Sequence, residues 1–344
     1  MFNETGDKSM NKYSRVLGLL TLPVLLFSAW RVYGTVGVTK TIEQEDIYYS
    51  FKEGQRILNG ENPYARVLTG NMRDNNKYAT YFPLFYELSY ASQALGLKEF
   101  ATWLVFWRRV FILFNLGTAV LLFYAFWRYD MKWFGIFATA FWLFNRWTLT
   151  VMSIVHLDFL PIFFLVASLL VFPKNRWLGF LLYGVSLSLK QIGIFILPLY
   201  LIWLWLSVDK DRVRELIMGS VWIGIIPFLT SLPFLFWNAQ GFVMSVLFSV
   251  TRVGSGRFSV LPLDAAMGWS GATGRLPMLV LFAVVYWFCL SRVVGRYTGA
   301  FLVMSVFIGF NTALFVQYFL WLVPLTLLLL LDTKENYSMY AGGV

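Results

Sequence analysis

The sequence predicts an all-α fold: a polytopic integral membrane protein of about ten transmembrane helices with a structured first external loop. Three observations predict it. Of 344 residues, 58% are hydrophobic and only 13% charged, against about 25% charged in a soluble chain. The apolar residues gather in runs, many near the length of roughly 20 residues that spans a bilayer. Aromatic residues make up 19%, and many of the 15 Trp and 18 Tyr fall near the ends of those runs, where amphipathic rings favour the headgroup level.

In chain order, the runs fall near 15–36, 100–127, 133–151, 155–172, 177–190, 192–207, 214–237, 276–291, 297–315 and 318–331. The first lacks a small-residue cleavage site and reads as an uncleaved span. Pro161, Pro198, Pro227, Pro233 and Pro324 interrupt later runs, which a bundle tolerates because neighbouring helices re-satisfy the freed backbone groups. With the N-terminus inside, the inner short loops carry Arg128, Lys132, Lys174, Arg176, Lys210, Arg212, Arg214, Arg292 and Arg296, whereas the outer ones carry only Arg146 and Lys190. The positive-inside rule therefore puts the N- and C-termini in the cytoplasm. The long loops 37–99 and 238–275 are then external, and 1–344 reads as a single transmembrane domain.

The first external loop has its own structure. Residues 43–58, EQEDIYYSFKEGQRIL, form an amphipathic pattern that stops at Asn59-Gly60. Residues 82–97, FPLFYELSYASQALGL, are apolar but short, which suits an interfacial or re-entrant segment.

Composition excludes several classes. The net charge is +10, but the basic residues are scattered through apolar sequence and form no solvated arm, so no nucleic-acid partner is expected and membrane lipids suit the charge better. Cys289 is the one cysteine and His156 the one histidine, which rules out an internal disulfide and a multi-His metal site. No phosphate-binding loop, dinucleotide fingerprint or Ser-His-Asp spacing is present. No cofactor is assigned, although a divalent metal is possible if another carboxylate joins His156 and Asp158.

The candidate site residues share the external side. Asp46, Ser50 and Glu53 lie on one face of the first loop helix, with Tyr49 beside them. A half-buried carboxylate there, Asp46 above all, suits a general base; the alternative is an acidic first turn favoured by the helix dipole. Arg108 and Arg109 lie about two turns into the second span, where an embedded charge marks function unless it snorkels. His156 and Asp158 open the fourth span and could orient an acceptor hydroxyl or a base, or serve as a structural cap or a buried hydrogen bond. Lys190-Gln191 forms a tight turn between apolar runs, a place for a fixed phosphate-binding charge. Arg252 and Arg257 flank Gly254 and Gly256 in the second loop, as in a flexible anion clamp. Gln317-Tyr318 makes the last external turn, as a substrate contact or an interfacial anchor.

In order, these residues resemble the GT-C superfamily of glycosyltransferases, and most of all the polyprenyl-phosphate-mannose-dependent mannosyltransferases. The resemblance rests on Asp46…Tyr48-Tyr49…Gly60-Glu61-Asn62-Pro63-Tyr64, on Tyr81-Phe82-Pro83-Leu84-Phe85, on Ser186-Leu187-Ser188-Leu189-Lys190 and on Val316-Gln317-Tyr318-Phe319-Leu320-Trp321. It departs from the superfamily in lacking an Asp-x-Asp in the first loop, for which Glu45-Asp46 is the nearest equivalent. The resemblance implies an inverting transfer of a hexose, mannose by kinship, from a polyprenyl-phosphate donor to a glycolipid or glycan acceptor on the external (periplasmic or luminal) face. Asp46 would be the base. Lys190 and Arg109, with Arg108, Arg252 and Arg257, would hold the donor phosphate. His156, Asp158, Tyr49, Gln191, Gln317 and Tyr318 would contact substrate. The rival expectation is a transporter or flippase for a lipid-linked anion, which places its site near the midplane and often carries inverted repeats.

Overall fold

A computed structural model describes residues 4–68, 79–251, 267–268, 275–310 and 314–341. Among them the regular structure is helical throughout. The helices are α1 (Glu4–Thr35), α2 (Asp46–Leu58), α3 (Leu84–Ala94), α4 (Phe100–Arg128), α5 (Lys132–Phe144), α6 (Arg146–Ser153), α7 (Phe159–Val171), α8 (Arg176–Leu189), α9 (Leu197–Ser207), α10 (Arg212–Thr251), α11 (Leu276–Leu290), α12 (Arg296–Phe310) and α13 (Val316–Ala341). Two stretches, Phe100–Arg128 and Arg212–Phe248, are long and apolar enough to cross a membrane. The remaining apolar helices are shorter, among them Phe159–Val171 and Leu276–Leu290.

The first-loop helix starts at Asp46 rather than near 43, after a 3-10 turn at Ile42–Gln44, and the run at 192–207 opens as a 3-10 helix; two further differences are larger. The run 133–151 is two helices, because Asn145 turns to an extended backbone and its Oδ1 accepts the Thr148 amide to start α6. An Asn N-cap of this kind satisfies one of the donors a helix start leaves open. The expected loop at 238 begins as helix: α10 kinks at Asn238 (φ −160°, ψ 89°) and continues to Thr251. Asn238 Oδ1 accepts the Gly241 amide at 2.9 Å, capping the second half.

The core is assembled from α4, α7, α8 and α13, with α5 and α12 against them, and is rich in large rings such as Trp103, Trp142, Trp321, Tyr183 and Tyr200. Many apolar side chains on α1, α10 and α11 are exposed, including Phe27, Phe228, Phe236 and Trp287.

The segment between α1 and α4 is anchored on both sides. Helix α2 lies against α3 at Gly54, where a Cβ would strike Ser89 Oγ and Gln93 Nε2. Gln93 Nε2 donates to Phe51 O at 2.9 Å, and the indoles of Trp103 and Trp107 donate to Ser92 Oγ at 2.9 and 3.2 Å. On the other side, Tyr64, Ala79, Tyr86, Phe234 and Phe242 form a small second core that joins this segment to α10. Ser245 Oγ donates to Ala79 O at 2.5 Å. These contacts fix the two ends of the stretch that carries Tyr81 and bring α2 beside the start of α7.

Candidate functional site

Four residues from three distant parts of the sequence form one continuous chain of charge. Asp46, the first residue of α2, faces His156 in the turn between α6 and α7, with His156 Nε2 3.0 Å from Asp46 Oδ2. On the other ring nitrogen, His156 Nδ1 lies 3.1 Å from Asp158 Oδ2. Asp158 Oδ1 in turn pairs with Lys190 Nζ at 2.7 Å. His156, Asp158 and Lys190 have no exposed side-chain surface, while Asp46 is 18% exposed. The chain therefore runs from a sealed ammonium to a carboxylate that reaches the surface.

Local structure explains how each member is held. Two residues beyond helix α6, Val155 sits at φ +48°, a left-handed conformation that a β-branched residue adopts only under tertiary constraint, at a cost on the order of 1–3 kcal/mol. That turn aims His156 back at α2, and His156 N donates to Val151 O at 3.2 Å. Asp158 precedes α7 but makes no capping hydrogen bond with its side chain, so the capping role open in the sequence is not the one it takes. Lys190 ends α8 in an extended conformation (φ −160°, ψ 120°). Ser186 Oγ donates to Pro161 O at 2.7 Å, tying the end of α8 to the start of α7 and so Lys190 to Asp158.

Tyr81 is the functional-site residue that sequence reasoning missed. Its hydroxyl donates to Asp46 Oδ2 at 2.9 Å, and its ring lies 5.1 Å from Lys190 Nζ. Burial, then the negative charge of Asp46, pushes the phenol well above its usual range, so it stays a protonated donor. Gln191 supports it from below: Gln191 Nε2 donates to Thr80 O at 2.5 Å. The ring of Tyr318 lies 5.8 Å from Lys190 Nζ, and Gln317 beside it is buried. The Tyr-x-Pro-Leu run contained the signal for Tyr81, but an aromatic ring in an apolar run reads first as an interfacial anchor.

Among the described residues, the cations expected to hold a phosphate are not brought together. Lys190 is committed to Asp158 and presents no surface to a ligand. Arg108 Nη2 donates to Tyr33 O at 2.8 Å and to Val36 O, satisfying carbonyls that the end of α1 leaves open. Arg109 is exposed on α4. Arg252 and Arg257 lie outside the described residues. Tyr49 stands one turn beyond Asp46, at the edge of a cleft of about 350 Å³ on α2.

Among the described residues no three His, Cys, Asp or Glu side chains gather as a metal site; Asp46, His156 and Asp158 are strung in a line. What this line can do is hold one carboxylate at the surface in a fixed orientation, with donors on one oxygen and a balanced ion pair behind. The fold and site thus define an all-helical protein with a buried acid–base relay ending at one carboxylate. No family model matches the chain, and no curated protein matches it.

Proposed function

We propose that the protein is a multi-pass membrane glycosyltransferase that moves a hexose, mannose by resemblance, from a polyprenyl-phosphate donor to an acceptor hydroxyl. In this reading both termini are cytoplasmic and the carboxylate opens on the external face. One observation carries the proposal: Asp46, the residue that the first-loop motif singles out, is the exposed end of an otherwise sealed chain. A carboxylate held this way is suited to accept a proton.

Asp46 takes the proton of the acceptor hydroxyl as the acceptor oxygen bonds to the anomeric carbon. The bond from that carbon to the phosphate oxygen breaks, and the lipid phosphate leaves with the electron pair, inverting the centre. Tyr81 and His156 are positioning residues that fix Asp46 through Oδ2. Asp158 and Lys190 fix His156 from behind. The positive charge for the leaving phosphate is assigned to Arg109, Arg252 and Arg257, as the resemblance implies, because Lys190 and Arg108 are already engaged.

Purified protein incubated with labelled polyprenyl-phosphate mannose and membrane glycolipid transfers label to acceptor. Asp46→Asn lowers that rate by about 10²–10⁴ and leaves the unfolding temperature close to that of the parent. Near-normal turnover in Asp46→Asn sinks the assignment of the base. Movement of intact lipid between vesicle leaflets with no sugar transfer sinks the enzyme.

A further inference from the structure

We propose that the cleft on the outer part of α2 binds an acidic group, a carboxylate or a phosphate, on a part of the acceptor remote from the reacting hydroxyl. The inference rests on Asp46 being the reacting end of the site.

Helix α2 carries Tyr49, Lys52 and Arg56 at three- and four-residue steps, which puts these three along one face, beginning one turn beyond Asp46. Tyr49, Lys52, Gln55 and Arg56 line the cleft together with Glu61 and Arg66 across it. Its volume of about 350 Å³ falls within the range of roughly 300–1,000 Å³ for small-ligand sites. The wall is polar and has three cations against one exposed carboxylate.

Beneath the wall lies Glu53, whose side chain is 1% exposed. Glu53 Oε1 pairs with Arg66 Nη1 at 2.9 Å, and its Oε2 with Arg56 Nε at 3.3 Å. Arg56 Nη1 reaches Glu61 Oε2 at 3.2 Å. One buried carboxylate thus fixes two guanidinium groups whose fork geometry suits carboxylate and phosphate alike. Lys52 makes no ion pair with Glu53; its Nζ donates to Gln55 Oε1 at 3.3 Å and rests over the rings of Tyr48 and Phe51. Lys52 is therefore a cation held beside the Glu53 pairs without being part of them, and Arg56 and Arg66 are fixed before any ligand arrives.

The distance fits a second contact rather than the reacting one. Lys52 and Arg56 lie six and ten residues beyond Asp46, about 9 and about 15 Å along a helix. A charged substituent seated there belongs to a portion of the acceptor beyond the sugar whose hydroxyl meets Asp46.

The test is made on the full chain carrying Asp46→Asn, so that it needs no turnover. The probes are three labelled disaccharides that differ in one terminal residue: glucuronate, glucose 6-phosphate or glucose. The acidic probes bind about tenfold or more tightly than the neutral one, with affinity falling as salt rises. Lys52→Glu brings the acidic probes down to the affinity of the neutral one, and Lys52→Gln reduces the preference part way. Which acidic probe binds better identifies carboxylate or phosphate. Equal affinity for all three probes overturns the proposal, as does an acid preference that survives Lys52→Glu in folded protein. Because binding is read without transfer, these failures are separate from failure of Asp46 as the base.

Discussion

The chain from Asp46 to Lys190 and the cluster around Glu53 both pair acids with bases, and each takes a carboxylate from the same short helix, α2. The first draws its four members from three separate segments and encloses three of the four completely. The second is nearly local, joining Glu53 to Arg56, Glu61 and Arg66, and its arginines are 24–32% exposed. Water can enter the second cluster and replace a lost partner. In the first it cannot, so each charge there depends wholly on its neighbour. A sealed ion pair is weak support for stability as such, since desolvation offsets its attraction, but breaking one side leaves an uncompensated charge. The difference suits the two proposed roles: the sealed chain fixes one carboxylate in one orientation, and the open cluster holds cations where a ligand can reach them.

Removing Asp158 is the largest test of this contrast. Asp158→Ala leaves Lys190 buried without its carboxylate and His156 without support on Nδ1. The expected loss is on the order of 3–5 kcal/mol, read as a fall in unfolding temperature of the purified protein in detergent. Adding Lys190→Met to Asp158→Leu recovers most of that stability while transfer stays low, because the buried charges leave together but His156 is no longer oriented. If Asp158→Ala unfolds within a degree or two of the parent, the chain is hydrated and the comparison fails.

The same contrast marks what was legible in the sequence. Helix α2 and its stop were readable because amphipathic spacing and Asn59-Gly60 are local signals, and Gly60 takes φ +77° at that point. Asp46, His156, Asp158 and Lys190 could each be picked out as a polar residue in an apolar setting. That they form one chain could not be read, since Asp46 and His156 are 110 residues apart and nothing local encodes their meeting. The reading of Lys190 as an open phosphate ligand failed for the same reason: its partner Asp158 comes from another helix. Arg108 lost its expected role to the carbonyls at the end of α1. The break at Asn145 was hidden because apolar residues continue on both sides of it.

A smaller change probes the joint between α2 and α3. Gly54 leaves no room for a side chain against Ser89 and Gln93. Gly54→Leu forces the helices apart at a cost of about 1–3 kcal/mol and disturbs the bond from Gln93 to Phe51 O. The Asp46 end of α2 is pinned separately by Tyr81 and His156. Binding in the Glu53 cleft is therefore expected to fall more than transfer. Equal losses in both would mean that α2 moves as one rigid piece and that the two clusters are not independent.

The smallest expected effect concerns the charge of Glu53. Burial first, opposed by Arg66 and Arg56, pushes its carboxyl up to about 7 from 4.5. The folded state thus holds the Glu53 proton more tightly than the unfolded chain does. Its contribution to stability is fully present below about pH 4.5 and diminishes as pH rises toward about 7. Glu53→Gln keeps the shape and cannot ionise, so the stability of the parent relative to Glu53→Gln falls between about pH 5 and about pH 8. With both arginine partners partly solvated, the change is expected to be only on the order of 1 kcal/mol. Unfolding temperatures of the two proteins across that range measure it. A difference that grows with pH would show that the arginines outweigh burial and hold Glu53 ionised. The cluster would then behave like the sealed chain, and its cations would be less free to turn to an acidic ligand.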